Sequence, residues 1–423
     1  MTKKMMRSLV AFSLIIIFSV FNMSSCILLG YGSDHVTKDD VQDMIDKGMN
    51  GNITVEGGDN YNVTINGADE ENVSVAKALL STVSVRCVFK TLGYGTSYPG
   101  VTGAKEKTAA GSGVIYKLDK NQGDAYIITN YHVVYHSQSN TENRISDDIR
   151  IYLYGQESED YAISATFVGG SMNYDLAILK VDGSRILAQS NATAASFADS
   201  DKVMVLDKAI AIGNPENLGI SATLGHINVE SEYITMDGAD DITEIQIRVM
   251  RMDTAINSGN SGGGLFNNKG ELIGIVNAKL NDSDNMSYAI PSNFVKFVAE
   301  NILYYCDGTQ LEGVYRCYLG ITVGTDRMYT EYDENLGVVY KRERVVVGTV
   351  ENDGIAKGLL LAGDVINTMT VDGVEYEVNR THIVTDAMLN ARVGSVVTVN
   401  VTRGEKVLNV SITITESALS HIK

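Results

Sequence analysis

The chain of 423 residues reads as a mainly β protein of two or three domains. Between about Val73 and Pro291, short apolar or β-branched runs alternate with turn signals. No long amphipathic helix breaks that stretch before Pro291–Tyr305. Gly is plentiful (40) and Pro scarce (3), which fits many tight turns and excludes Pro-rich linkers. Short strands at irregular spacing predict a barrel or sandwich, with a smaller mixed unit after it.

The N-terminus carries an export pattern. Met1–Arg7 is basic, Ser8–Phe21 is apolar, and Asn22-Met23-Ser24-Ser25 leads to Cys26. Residues 1–25 therefore read as a signal peptide. The small residues before Cys26 resemble a bacterial lipobox, which implies lipidation of that cysteine. The alternatives are an uncleaved anchor helix over Ser8–Gly30, long enough to span about 30 Å, and full release after cleavage. In each case the remainder lies outside the cytoplasm. Residues 26–72 form a spacer, with a short helix over Thr37–Gly48 and a hairpin over Asn52–Ile65 turning at Gly57–Asn60.

Strands follow at Val83–Phe89, Gly113–Lys117, Ala125–Thr129, Ile149–Tyr154, Leu176–Val181, Lys208–Ile212, Ile245–Met250 and Leu272–Asn277. A polar joint at 306–314 separates this region, 73–305, from a unit over 315–418. That unit mixes strands at Gly337–Tyr340, Val345–Val350, Val396–Thr402 and Val407–Thr415 with a helix at Thr381–Ala391.

Composition narrows the function. A hydrophobic fraction of 44% and a charged fraction of 20% exclude a disordered chain. The net charge is −18, and loss of Lys3, Lys4 and Arg7 with the first 25 residues makes it −21. Such a charge repels phosphate backbones, so nucleic acid is excluded as a partner. Four cysteines do not make a disulfide scaffold; Cys306 and Cys317 flank the joint, and their pairing is left open by spacing.

Three segments carry chemistry. Ser261 sits in the Gly-rich run Asn257-Ser258-Gly259-Asn260-Ser261-Gly262-Gly263-Gly264. Such a turn exposes a hydroxyl and aims backbone N–H groups at a developing oxyanion. A phosphate loop is excluded, because no Lys follows until Lys269. A serine nucleophile needs a base, and His132 in Thr129-Asn130-Tyr131-His132-Val133-Val134 closes an apolar strand. Asp175 in Asn173-Tyr174-Asp175-Leu176-Ala177-Ile178-Leu179 supplies the carboxylate that orients an imidazole. No metal and no cofactor are called for.

Together these segments resemble the HtrA/Deg family of trypsin-like serine proteases. Gly111-Ser112-Gly113, Ile212-Gly213-Asn214-Pro215 and Ala289-Ile290-Pro291-Ser292-Asn293 add to the likeness. The resemblance implies a chymotrypsin-like double β-barrel with His132, Asp175 and Ser261 as a triad, in that chain order. It implies an oxyanion hole from Gly259, Asn260 and Ser261. It also implies an S1 pocket from Ala255, Ile256, Val276, Asn277 and Ala278. With no acid at Ala255, P1 is expected to be aliphatic. The family usually has Pro where Gly264 stands, which implies a looser loop here. Tyr318-Leu319-Gly320-Ile321 resembles the carboxylate-binding loop of a PDZ domain, so peptide C-termini are the expected ligands there. The pattern usually has Ser-Pro-Ala at about Asp353–Ala356, where this chain has Asp353-Gly354-Ile355-Ala356.

The implied whole is an envelope-anchored, ATP-independent endopeptidase for misfolded or damaged exported polypeptides, assembled as a trimer or larger. A binding protein or stress sensor with a resting, inactive site is the alternative. An α/β-hydrolase is excluded by triad order and by the missing strand–helix alternation.

Overall fold

The structure, a computed structural model, describes residues 70–91, 105–279, 286–306, 313–335 and 337–422, with the backbone of two strands at 52–56 and 62–66. The side chains of 70–74, 278 and 279 fall outside that description. So do the expected signal, Cys26, the Thr37–Gly48 helix and the Gly57–Asn60 turn. Strands β1 (Asn52–Glu56) and β2 (Asn62–Asn66) pair antiparallel, Ile53 opposite Ile65, as the β-branched alternation predicts.

Residues 69–423 form one compact unit. It opens on helix α1 (Glu70–Ser81), where the sequence predicts spacer and then strand. Ala78 of α1 is buried, and its carbonyl holds the Ser81 and Thr82 hydroxyls at the turn into the first strand.

The first barrel contains β3 (Thr82–Thr91), β4 (Lys105–Asp119), β5 (Asp124–Thr129), β6 (Asp148–Leu153), β7 (Ile163–Ser171) and β8 (Leu176–Val181). They close in the order β3-β4-β5-β8-β7-β6. One turn of helix, α2 (Tyr131–Val134), interrupts the sequence after β5. Alternation explains the closure: Val83, Val85, Cys87 and Phe89 of β3 all point inward. Burying one such side chain stabilises by about 1.5–3 kcal/mol.

After α3 (Arg185–Gln189) comes a second barrel of β9 (Lys208–Gly213), β10 (Ser221–Asp237), β11 (Glu244–Met252), β12 (Gly264–Phe266), β13 (Leu272–Lys279) and β14 (Ser287–Pro291). Its order is β10-β11-β14-β13-β12-β9. Gly264 opens β12, and a Cβ there would lie 2.3 Å from the Phe266 ring. Packing, rather than the expected loop freedom, explains the glycine.

Helix α4 (Ser292–Tyr305) packs Val295, Val298 and Ile302 into a core shared with both barrels. The C-terminal part holds β15 (Val314–Cys317), β16 (Ile321–Asp333), β17 (Val338–Val350), β18 (Val365–Val371), β19 (Val374–Glu377), α5 (Thr381–Ala387), β20 (Val396–Arg403), β21 (Lys406–Thr413) and β22 (Leu419–Ile422). Two strands expected over 337–350 are one, β17, and β22 pairs with β15 beyond the expected end at 418. The main sheet runs β16-β17-β18-β20-β21, which leaves β16 at an edge. Residues 307–312 of the expected joint lie outside the description. Cys306 Sγ faces the Gly313 carbonyl and Cys317 Sγ the Ala391 carbonyl, so the two thiols are not joined to each other.

A buried ion pair ties the C-terminal part to the second barrel. Arg248 of β11 donates to Asp386 of α5 at 2.5 Å, with the residues 4% and 6% exposed. Burial pushes the Asp386 carboxyl above the usual carboxylate range, against the pull of Arg248. Arg248→Ala is therefore expected to cost about 3–5 kcal/mol, measured by urea unfolding. The deficit is expected to grow as pH rises, because losing Arg248 lifts the folded Asp386 pKa further and leaves the ionised carboxylate buried without its counter-charge. Replacing both partners by well-packed apolar residues is expected to be near neutral.

Candidate active site

Strand β5 ends at buried Thr129, whose hydroxyl donates to the Ser112 carbonyl at 2.7 Å. The chain then makes the single turn α2, which swings His132 to the barrel rim. Asp175 stands in the turn before β8, in a left-handed conformation with φ 47°. It is 3% exposed and receives four donors. Its Oδ1 accepts the His132 backbone N–H at 2.9 Å, and its carbonyl accepts Asn130 Nδ2 at 2.8 Å. Its Oδ2 accepts His132 Nδ1 at 2.7 Å and Asn277 Nδ2 at 2.6 Å. The two His132 bonds hold backbone and ring together, so the imidazole has one orientation. Burial pulls the His132 pKa down, but the charge and hydrogen bond of Asp175 more than reverse this and raise it above its ordinary 6.5.

Ser261 arrives from the second barrel, in the loop between β11 and β12. Two glycines shape that loop. Gly259 has φ 98° and Gly262 φ 83°, and a Cβ at either would lie 2.2 Å from a carbonyl oxygen, that of Asn214 or Ser112. Only glycine meets both demands. Ser112 clasps the loop from the first barrel. Its N–H donates to the Ser261 carbonyl at 2.8 Å, its Oγ donates to the Gly259 carbonyl at 2.7 Å, and the same Oγ accepts the Asn214 N–H at 2.8 Å. In the sequence Gly111-Ser112-Gly113 is only a supporting match; the geometry makes Ser112 the joint of the site.

The N–H groups of Gly259 and Ser261 have no backbone acceptor among the described residues. They are therefore available to an incoming carbonyl oxygen. Asn260 is not: its N–H is committed to the Asn257 carbonyl at 3.1 Å, because the tight turn folds it inward. That removes Asn260 from the expected donor set. The Ser261 hydroxyl donates to the Asn277 carbonyl at 3.2 Å, and among the described residues no hydrogen bond joins it to His132. Asn277 thus touches both the hydroxyl and the carboxylate, a role its expected place in an S1 wall did not reveal.

The other expected S1 residues divide. Ala255 is exposed. Ile256 and Val276, 5% and 0% exposed, point into the second barrel's core, since strand alternation turns Val276 inward while Asn277 faces the site. Both are corrected to core residues. Ala278 lies in β13, its side chain outside the description.

At the edge of the C-terminal sheet, the Tyr318 N–H is committed to the Ala418 carbonyl, whereas the Leu319 and Gly320 N–H groups have no backbone acceptor among the described residues. Gly320 has φ 72° and sits against Gly354, where a Cβ would lie 2.3 Å from Cα. That close approach explains Gly354 where the PDZ pattern differs. Ile321 begins the edge strand β16, which runs beside α5.

Residues 111–275 match the family model of a trypsin-like peptidase domain. The Do-like serine protease HtrB of Bacillus subtilis is 31% identical over 321 residues, covering 73% of this chain and 63% of its own. The periplasmic serine endoprotease DegP of Escherichia coli K12 is 32% identical over 322 residues, 74% of this chain and 58% of its own. The chain thus spans about three fifths of the length of these relatives. Among solved structures, the HtrA-type protease AlgW with a decapeptide aligns at TM-score 0.50 and 25% identity, over 82% of this chain and 98% of that one. Residues 111–275 thus carry a trypsin-like peptidase domain, and the double barrel and the order of its motifs are similar to those of the HtrA/Deg serine proteases.

Proposed function

We propose that the chain is a serine endopeptidase of the cell envelope that cuts misfolded or damaged exported polypeptides. The observation that carries this is the arrangement of Asp175, His132 and Ser261, with two open N–H donors beside the hydroxyl. Ser261 attacks the scissile carbonyl, His132 takes its proton and returns it to the leaving amine, and Asp175 holds the tautomer and the imidazolium. Gly259 and Ser261 hold the oxyanion. Ala255 carries no charge, so aliphatic P1 residues are accepted.

Residues 73–305 act as the protease domain and 315–418 as a PDZ domain. A peptide C-terminus meets the N–H groups around Leu319 and Gly320 and extends along the β16 edge. Residues 1–25 direct export, Cys26 carries the lipid, and the assembly is a homotrimer or larger. DegP is named as periplasmic, which agrees with an exported chain. No described helix is long and apolar enough to cross a membrane.

One observation favours a second reading, a binding protein or sensor inactive at rest: the Ser261 hydroxyl sits on the Asn277 carbonyl and not on His132. Digestion of unfolded casein by the full chain, beside Ser261→Ala and with and without C-terminal peptides, separates the two. Ser261-dependent fragments ending in Val, Ala or Ile support the protease, and no cleavage under any condition supports the sensor.

The acid limb of kcat/KM tests His132. A base must be unprotonated, so activity is expected to fall as pH drops through a midpoint above 6.5. Stability runs the other way. The His132–Asp175 contribution is full below the unfolded histidine pKa and fades as pH rises through the folded one.

A further inference from the structure

The β10–β11 hairpin does more than close the second barrel. Its tip, 236–245, forms a wall of the cleft of about 520 Å³ that holds His132, Asp175 and Asn277. The tip is tightly built. Met236 pairs with Ile245 and Asp237 with Glu244, and the Gly238 N–H donates to the Thr243 carbonyl at 2.7 Å. Asp240 accepts the Thr243 hydroxyl at 2.6 Å and the Thr243 and Ile242 N–H groups at 2.8 and 3.0 Å, which hold its carboxyl below the usual range.

Two further carboxylates are different. Asp237 and Asp241 both line the cleft, both are exposed, and neither meets a cation within ion-pair distance among the described residues. The cation on the facing wall is already engaged: Lys107 Nζ lies 3.2 Å from His136 Nε2 and 3.0 Å from Gln138 Oε1. An independent feature points the same way. Asn277, 1% exposed, lines this cleft, and its Oδ1 has no hydrogen-bond partner. The cleft therefore offers acceptors and negative charge, and its one lysine is already held by His136 and Gln138.

We propose that Asp237 and Asp241 are specificity-determining residues that select polypeptides with a lysine or arginine a few residues from the scissile bond. This rests on the endopeptidase reading above and deepens it. The P1 residue stays aliphatic, and the cation sits beside it, over the hairpin tip. A cleft whose carboxylates outnumber its single lysine concentrates negative field and raises the local population of cationic segments. Unfolded chains lacking such a residue enter more weakly, and the overall acidity of the protein acts in the same direction.

The test uses the full chain and pairs of fluorogenic peptides, identical except for Lys or Glu at each of the four positions before and after an aliphatic P1. Asp237→Asn/Asp241→Asn keeps the shapes and, at Asp241 with φ 59°, a residue that tolerates the left-handed region. At low salt the wild type is expected to prefer Lys over Glu by about fivefold at one or two positions, the range of two partly exposed ion pairs. In the double variant that preference is expected to fall below about twofold, with cleavage of a peptide uncharged at those positions unchanged. Lys107→Gln is expected to widen the preference, and 0.5 M salt to shrink it. Ser261-dependent cleavage with equal kcat/KM for every Lys and Glu pair, or a preference the double variant retains, overturns the proposal while leaving the endopeptidase standing. Absence of any Ser261-dependent cleavage overturns both.

Discussion

Ser261→Ala is expected to lower kcat for peptide-bond cleavage by about 10⁶, the loss seen when the nucleophile of such a triad is removed. The hydroxyl contributes one hydrogen bond, to the Asn277 carbonyl. The loop around it is held instead by Ser112, Gly259 and Gly262, none of which the substitution touches. The variant should therefore keep its thermal midpoint and bind substrate with a little-changed affinity. The measurement is steady-state turnover of a fluorogenic peptide with valine at P1, beside thermal unfolding of the same samples. Full activity in the variant would place the nucleophile elsewhere.

Asp175→Asn is expected to lower kcat by about 10⁴. The reason is a count of donors. Oδ1 and Oδ2 of Asp175 accept the His132 backbone N–H, the His132 ring Nδ1–H and Asn277 Nδ2. An asparagine keeps one acceptor and turns an amide N–H₂ toward groups that are themselves donors. The imidazole then holds its proton on Nε2, the atom that must receive the serine proton. The charge that raised the His132 pKa disappears as well, leaving the lowering by burial. The acid limb of the residual activity is thus expected to move to lower pH than in the wild type. An unchanged midpoint would show that the ring is not paired with Asp175 in solution.

Asn277 and Ser112 illustrate what a linear reading reaches and what it does not. Ser261, His132 and Asp175 stand out because each sits in a local motif, a Gly-rich turn or a strand end, whose shape serves chemistry. Asn277 has no such motif. It lies mid-strand in Leu272–Lys279, and its two contacts come from chain segments 102 and 16 residues away. Ser112 lies in a recognisable triplet, yet its clasp on Gly259 spans 147 residues. The expected S1 wall failed at Ile256 and Val276 for a related reason. Apolar residues near a site suit a pocket or a core equally well, and only the tertiary packing chose the core, through strand alternation at Val276 and the fold of the loop after β11 at Ile256.

Some features were settled by the sequence alone. The alternation of β-branched residues specified strands, because a strand with one buried face repeats every second residue. The glycines around Ser261 were readable for local steric reasons, and the acidity of the chain is a plain sum. The tertiary structure decided which strands close into which barrel and where one wall of the cleft meets the other. It brought Arg248 to Asp386 across 138 residues. It also turned the Asp237 and Asp241 carboxylates onto the cleft of His132. Such pairings depend on burial and long-range packing, whose energies are shared among many residues and written in no single segment.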